Sequence, residues 1–186
     1  MMDKVIFLDR DGVINKDPGG WTEHSYVTKW EDFHFLPGVL EALKKLKDNG
    51  FEVIIISNQG GVGKGYFSNN DLDTLNKKMI DEIKRHGGGI RAAYYCVHSS
   101  KEDCPCRKPK TGLFDMAVKE LKVDIKGKYF IGDDIRDIEA GQKAGCKTIF
   151  LTCGKTSVEK LDGSDIKPVK IEKDLLHAVD WILKNG

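Results

Sequence analysis

The chain has 186 residues, with 30 Lys and Arg against 29 Asp and Glu, for a formal net charge of +1. That balance speaks against bulk electrostatic capture of nucleic acid or of an acidic membrane surface, and the length suits one domain with a real core over residues 1–186. No apolar run approaches the roughly 18–20 residues of a membrane span, and residues 1–4 lead straight into a strand pattern, so no signal peptide is expected and the expected compartment is the cytoplasm.

In chain order, residues 5–9 are an apolar strand pattern that ends in Asp9 and Asp11, with Gly12 straight after. Two carboxylates so close repel each other unless a cation sits between them. Pro37 opens a helix whose Val39, Leu40, Leu43 and Leu46 share one face, and "DNG" stops it at Gly50. "FEVIIIS", residues 51–57, reads as a second apolar strand. Ser68 caps the next helix, with Leu72, Leu75, Met79 and Ile83 inward and a glycine stop. Residues 90–96 are a third, less hydrophobic strand, followed by a helix over 111–121 and a strand over 129–131. "DIRDIEAGQKAG" is a helix closed by glycine, 148–151 a further strand and 174–184 a final helix. No repeat, low-complexity tract or linker interrupts this alternation. Residues 16–36, 97–110 and 152–171 are long and irregular, and such loops in a compact α/β domain tend to be functional.

Strands separated by helices predict a doubly wound, Rossmann-like parallel sheet, here with no large cap domain between residues 15 and 37 or between 57 and 90. In a 3-2-1-4-5 order the first and fourth strands are neighbours across the switch point, where such sheets bind ligands. Asp9-Arg10-Asp11, "SNQGG" from Ser57 and "IGDDIRD" from Ile131 then converge. Strand alternation puts Asp9 and Asp11 on the same side with Arg10 pointing away. With Asp133 they make an oxygen-rich site suited to Mg²⁺. A metal-held carboxylate beside a second, protonatable one suits nucleophilic and acid–base work at phosphorus. Ser57, the backbone N–H groups around Asn58, and Lys108 are candidates to hold phosphoryl oxygens.

"DRDGVIN", "SNQ", "RKP" and "GDDIRD" resemble, in order and over essentially the whole chain, the four motifs of the haloacid-dehalogenase (HAD) superfamily of phosphatases. The resemblance implies that Asp9 is the nucleophile that forms an aspartyl-phosphate. It implies that Asp11 protonates the leaving oxygen and then activates water. Asp9, the Asp11 backbone carbonyl and Asp133 would hold Mg²⁺, with Asp134 or Asp137 in support, and Ser57, Asn58 and Lys108 would grip the phosphate. For Asp137 a bland explanation competes, since an aspartate in a helix's first turn also suits the helix dipole.

Five cysteines in a chain of this kind point to metal or buried thiols before disulfides. Cys96, His98, Cys104 and Cys106 form C-x-H-x5-C-x-C, three thiolates and one imidazole, a sufficient closed set for structural Zn²⁺. Arg107 and Lys108 follow directly, so a zinc clamp there would fix where both cations point. Cys146 and Cys153 read as buried strand-flanking residues. No role is assigned to His24, His34, His86 or His177.

The loop resembles that of cap-poor HAD phosphatases acting on heptose bisphosphates or on histidinol phosphate. "YVTKWEDFHFLPGV" and "GYFSNNDLDTLNKKM" are closer to the heptose enzymes, while the five-residue spacer between His98 and Cys104 is closer to the histidinol enzymes. The resemblance therefore implies a Mg²⁺-dependent phosphomonoesterase on a small molecule, most readily the 7-phosphate of D-glycero-D-manno-heptose 1,7-bisphosphate, with histidinol phosphate as the alternative. Lys64, Arg107 and Lys110 are cations for a second phosphate, whereas Glu23, Glu31 and Asp32 would serve an amine. A nucleic-acid 3′-phosphatase fits the balanced charge poorly. A catalytically inert zinc-stabilised binding module fits the intact Asp9, Asp11, Lys108 and Asp133 poorly.

Overall fold

The first strand, β1 (Val5–Leu8), is buried at all four positions, as a strand covered on both faces must be. In this computed structural model, which describes residues 4–154, 156–162 and 165–185, β1 lies between β2 (Glu52–Asn58) and β4 (Tyr129–Gly132). The reading of a missing leader at residues 1–3 falls outside the described residues. With β3 (Ala92–Cys96), β5 (Lys147–Leu151) and β6 (Lys170–Glu172) the sheet is parallel, in the order β3-β2-β1-β4-β5-β6. This is the predicted doubly wound order with one strand added. β6 begins inside the piece read as irregular and runs one residue past it; it is three residues long and only partly covered, so it carries no apolar run to betray it.

Alternation along the strands divides the core in two. Ile6, Leu8, Val53, Ile55 and Ile131 face α1 (Val39–Asp48), α2 (Asn69–Arg85) and α6 (Leu175–Asn185). Val5, Phe7, Ile54, Ile56 and Phe130 face α3 (Gly112–Leu121) and α4 (Ile135–Ala144). On that side Phe114 packs edge-on against Phe7 and Phe130, at centroid distances of 5.6 and 5.1 Å. Truncating a buried ring of this kind to Ala costs about 3–5 kcal/mol. A short α5 (Glu159–Asp162) sets Leu161 against Ile138 and Phe150.

The helix starts show why local sequence does or does not predict a boundary. At α2 the Ser68 hydroxyl accepts the Asp71 N–H at 3.1 Å, and the Asp71 carboxylate accepts the Ser68 N–H at 2.8 Å. This is a reciprocal capping box, and the expected cap holds. At α1 the expectation shifts. Pro37 lies ahead of the helix, because Gly38 at φ 77° is the cap and Val39 the first helical residue.

Residues 16–36 contain two short 3₁₀ turns, Glu23–Ser25 and Trp30–Asp32, and α2 alone fills the stretch between β2 and β3. Among the described residues there is thus no large inserted cap, and no helix is long and apolar enough to cross a membrane. The carboxyl ends of β1, β2 and β4 open together into one crevice.

Candidate active site

Asp9 lies one residue past β1, and its N–H bonds the Ile131 carbonyl of β4 at 3.0 Å. Its Oδ1 accepts the Arg10 N–H at 2.8 Å and stands 2.9 Å from the Lys108 ammonium. That ammonium also lies 2.7 Å from Oδ1 of Asp137 and donates to the Ile56 carbonyl at 2.8 Å, so a buried lysine has a partner for each of its three protons. Burial opposes the charge, but the Asp137 and Asp9 carboxylates outweigh it, and the Lys108 pKa stands above its ordinary value. Asp137 behaves oppositely. Burial and then the charge of Asp9 push it up to about 7, against the pull of Lys108.

Asp9, Asp133 and Asp137 each bring one carboxylate oxygen within 4.8 Å of the others. Two backbone segments crowd Asp133. A Cβ on Gly12, which sits at φ 83°, would lie 2.2 Å from Oδ2 of Asp133, and one on Gly154 would lie 2.1 Å from it. The glycine after the second aspartate is therefore there to let Asp133 in. Three buried carboxylates around one ammonium leave uncompensated negative charge, and their hard oxygens fit Mg²⁺. Asp137 joins this cluster, although the sequence offered it only in support. Its Oδ2 accepts the Asp134 N–H at 3.1 Å in a capping box while Oδ1 faces Lys108, so capping and site roles occupy different oxygens. Asp134 lines the same cleft but is not one of the three clustered carboxylates: it accepts the Arg136 N–H at 2.9 Å and pairs with the Arg136 guanidinium at 2.8 Å.

The Asp11 carboxylate is not part of the three-carboxylate cluster, and Arg10 does not point away. β1 ends at Leu8, so strand alternation no longer governs residues 9–11. The Arg10 side chain, fully buried, turns back beneath Asp11, with Nε and Nη2 at 3.2 and 3.0 Å from Oδ1 and the guanidinium 5.9 Å from the Tyr95 ring centroid. Asn15 Nδ2 donates to the same oxygen at 2.8 Å, and Gln59 Nε2 donates to Oδ2 at 2.7 Å.

Ser57 is buried at the end of β2 and lines the cleft. Asn58 lines the cleft too, and its side chain is engaged with Lys108. Its carboxamide accepts the Lys108 N–H at 3.0 Å and donates to the Lys108 carbonyl at 3.2 Å, so it holds the lysine backbone. The cleft, about 140 Å³, brings together Asp9, Asp11, Ser57, Asn58, Arg107, Lys108 and Asp133. Its wall also includes Asp17, Ser25, Tyr26 and Arg136, which the sequence did not single out. Glu23, Glu31, Asp32, Lys64 and Lys110 do not line it. His24 and Ser25 are consecutive non-glycine residues at φ 60° and 58°, a strained turn of the kind that clusters at ligand sites. His24 stacks on Tyr66 at 4.1 Å, tying this turn to the loop after β2.

The cysteine loop closes on itself. Cys96 Sγ lies 3.6 Å from Cys104 Sγ and 3.3 Å from Cys106 Sγ, and His98 Nδ1 lies 3.7 and 3.2 Å from Cys96 and Cys106 Sγ. A tetrahedral Zn²⁺ with bonds of about 2.3 Å to sulfur has edges of about 3.8 Å, so these four atoms stand near the corners of such a site. His98 also reaches the cleft through its backbone, since Arg107 Nη1 donates to its carbonyl at 3.3 Å. Of the remaining thiols Cys146 is buried as expected. Cys153 is exposed, with Sγ 3.6 Å from the Gly12 carbonyl, because the chain leaves the sheet at Leu151 beside the cleft.

A HAD-hydrolase-like family model matches residues 105–178. The D-glycero-beta-D-manno-heptose-1,7-bisphosphate 7-phosphatase of Haemophilus ducreyi is 38% identical over 162 residues, 82% of this chain and 85% of that protein. The D-glycero-alpha-D-manno-heptose-1,7-bisphosphate 7-phosphatase of Photorhabdus laumondii is 39% identical over 155 residues, 80% and 81% of the two chains. The crystal structure of D,D-heptose 1,7-bisphosphate phosphatase from B. bronchiseptica, complexed with magnesium and phosphate, matches with a TM-score of 0.89 at 28% identity, covering 98% of this chain and 99% of that one. Sheet order, carboxylate cluster and relatives agree, and the chain belongs to the heptose-1,7-bisphosphate 7-phosphatase family of HAD-like hydrolases.

Proposed function

We propose that this protein hydrolyses the 7-phosphate of D-glycero-D-manno-heptose 1,7-bisphosphate, leaving the 1-phosphate in place, through an aspartyl-phosphate on Asp9. The observation that carries the proposal is the setting of Asp9: in contact with the Lys108 ammonium, within a three-carboxylate cluster, and beside a second carboxylate on Asp11 that stands apart from that cluster.

A carboxylate oxygen of Asp9 attacks phosphorus. The bond from phosphorus to the leaving oxygen breaks with its electron pair on that oxygen, which takes a proton from Asp11. In the second half Asp11 accepts a proton from water as the water oxygen attacks phosphorus, and Asp9 departs as a free carboxylate. Lys108, held in place by Asn58, neutralises charge on Asp9 and on the phosphoryl oxygens, and Ser57 faces those oxygens across the cleft. Mg²⁺ held by Asp9, Asp133 and Asp137, together with the expected Asp11 carbonyl, would supply further charge stabilisation and orient the phosphate. Zn²⁺ held by Cys96, His98, Cys104 and Cys106 would order the loop, its closed ligand set leaving no position for chemistry. A reduced thiolate site of this kind suits the cytoplasm, and the whole of residues 1–186 serves as one catalytic domain.

The heptose bisphosphate is favoured over histidinol phosphate by the heptose-bisphosphatase relatives and by Arg107, which lines the cleft. Of the acidic side chains there, Asp17 accepts the Gly19 N–H and Asp134 pairs with Arg136, and Glu23, Glu31 and Asp32 do not line the cleft. The test is kcat/KM for the two compounds with Mg²⁺ present. The bisphosphate should be preferred and should yield heptose 1-phosphate by ³¹P NMR, whereas a preference for histidinol phosphate would overturn the substrate assignment.

A further inference from the structure

We propose that Gln59 is a positioning residue for the acid–base group, fixing the direction of the Asp11 carboxylate within its ion pair with Arg10. The inference rests on the reading of Asp11 as the proton donor given above.

Gln59 follows β2 and is fully buried, and its own N–H is anchored on the Cys96 carbonyl at 2.7 Å. Its carboxamide bridges two charged groups: Oε1 accepts from Arg10 Nη2 at 2.9 Å, and Nε2 donates to Asp11 Oδ2 at 2.7 Å. Only one orientation of the amide serves both. Turned over, it would set its oxygen against a carboxylate and its NH₂ against a guanidinium. The amide is therefore locked by charge as well as by burial.

The lock matters because Arg10 is buried and has few other outlets. Nη1 has no hydrogen-bond partner among the described residues, and Nη2 divides itself between Gln59 and both oxygens of Asp11, at 3.0 and 3.2 Å. Arg10 already contacts both oxygens of Asp11, so Gln59 adds a neutral donor to that carboxylate; without it Oδ2 keeps only the 3.2 Å contact from Nη2, and Arg10 alone sets its direction on that side. The distribution of donors also tells the two oxygens apart. Oδ1 accepts from Asn15 and from two nitrogens of Arg10, whereas Oδ2 has Gln59 and one long contact from Arg10. Oδ2 is the less heavily bonded oxygen, and Gln59 makes its shortest contact. A marginal contact of Nε2 with Ser57 Oγ at 3.4 Å is the amide's other polar neighbour.

A residue that acts through the proton donor should matter in proportion to the need for a proton. The test compares kcat/KM for heptose bisphosphate, whose alkoxide is a poor leaving group, with p-nitrophenyl phosphate, whose phenolate departs without help. kcat/KM reports only the steps through departure of the leaving group, so the later activation of water does not enter. In Gln59→Leu and Gln59→Met, heptose bisphosphate should lose at least about 10-fold more than p-nitrophenyl phosphate, a part of the roughly 10²–10⁴ available to acid catalysis. Inhibition by inorganic phosphate and the zinc content should not change. Equal losses on both substrates, or a loss confined to phosphate affinity, would overturn the proposal. So would failure of both variants to give a cooperative melt, because Gln59 would then be a structural residue. Asp11→Asn, run alongside, separates the two levels. If it spares p-nitrophenyl phosphate while the Gln59 variants do not, Asp11 remains the acid and the inference about Gln59 falls. If Asp11→Asn slows both substrates alike, the assignment of the acid itself has failed.

Discussion

Gly12 and Asp133 approach each other more closely than any side chain on residue 12 would permit, since a Cβ there would stand 2.2 Å from Oδ2 of the aspartate. Gly12 also sits at φ 83°, which strains any other residue. Gly12→Ala must therefore push Asp133 out of the cluster it shares with Asp9 and Asp137, and Gly154→Ala, whose Cβ would lie 2.1 Å from the same oxygen, does the same. Loss of support of this kind costs about 10–100-fold in metal affinity. The expected result in both variants is a Mg²⁺ requirement for turnover raised by at least about 10-fold, with zinc content unchanged. Unaltered Mg²⁺ dependence in well-folded Gly12→Ala would remove Asp133 from the magnesium site.

The nucleophile and the acid should fail differently. Asp9→Asn keeps the size of the side chain but cannot form the acyl-phosphate, and it leaves Lys108 with Asp137 as its remaining carboxylate. Turnover should be abolished with the fold retained. Asp11→Asn should lose roughly 10²–10⁴-fold on alkyl phosphates, the range for a general acid–base group. Near-normal turnover in Asp9→Asn, measured by phosphate release, would exclude the aspartyl-phosphate route.

The two metals should separate on dialysis. Chelation of Mg²⁺ should stop turnover reversibly, while zinc should remain at one per chain, because a closed thiolate–imidazole set binds far more tightly than a partly hydrated carboxylate site. Cys104→Ser and Cys106→Ser should lose zinc and release the His98 carbonyl that fixes Arg107. KM for the bisphosphate should then rise several-fold or more, with a smaller effect on p-nitrophenyl phosphate. Metal analysis and KM on the same preparations check both halves, and zinc-free wild-type protein of full activity would refute the clamp.

What could be read in the sequence follows from what topology dictates. Asp9, Ser57 and Asp133 sit at or just past the ends of β1, β2 and β4, and a doubly wound sheet brings those ends together whatever the intervening loops do. The direction of a side chain beyond a strand end has no such rule. Period-2 alternation predicts the direction of Arg10 only as far as the strand runs, and β1 ends at Leu8, while Gln59 and Asn58 stand where no periodicity says whether a carboxamide faces substrate or protein. Ser25 and Tyr26 reach the cleft through a left-handed turn at His24 and Ser25, which no glycine marks in the sequence. The short β6 escaped for want of an apolar run.

Arg107 carries the last prediction, the preference for a bisphosphate. Three cations were candidates for the second phosphate, and the structure separates them. Lys110 is paired with Asp103, and Lys64 lies 5.4 and 5.9 Å from the ring centroids of Tyr26 and Tyr66, with neither lysine lining the cleft. Arg136 lines it but is held by Asp134. Arg107 lines it and, among the described residues, pairs with no carboxylate; its guanidinium is steadied by the His98 carbonyl, and Gly60 leaves it room, as a Cβ there would come within 2.9 Å of Nη1. A planar guanidinium so placed can bind phosphate in two-pronged fashion. One charge-assisted contact is worth about 1.5–3 kcal/mol, or roughly 10- to 150-fold in kcat/KM. Arg107→Ala should therefore slow heptose 1,7-bisphosphate by that factor and heptose 7-phosphate, which lacks the second phosphate, far less. Equal slowing of the two would leave the phosphatase chemistry standing and deny Arg107 its part in choosing the substrate.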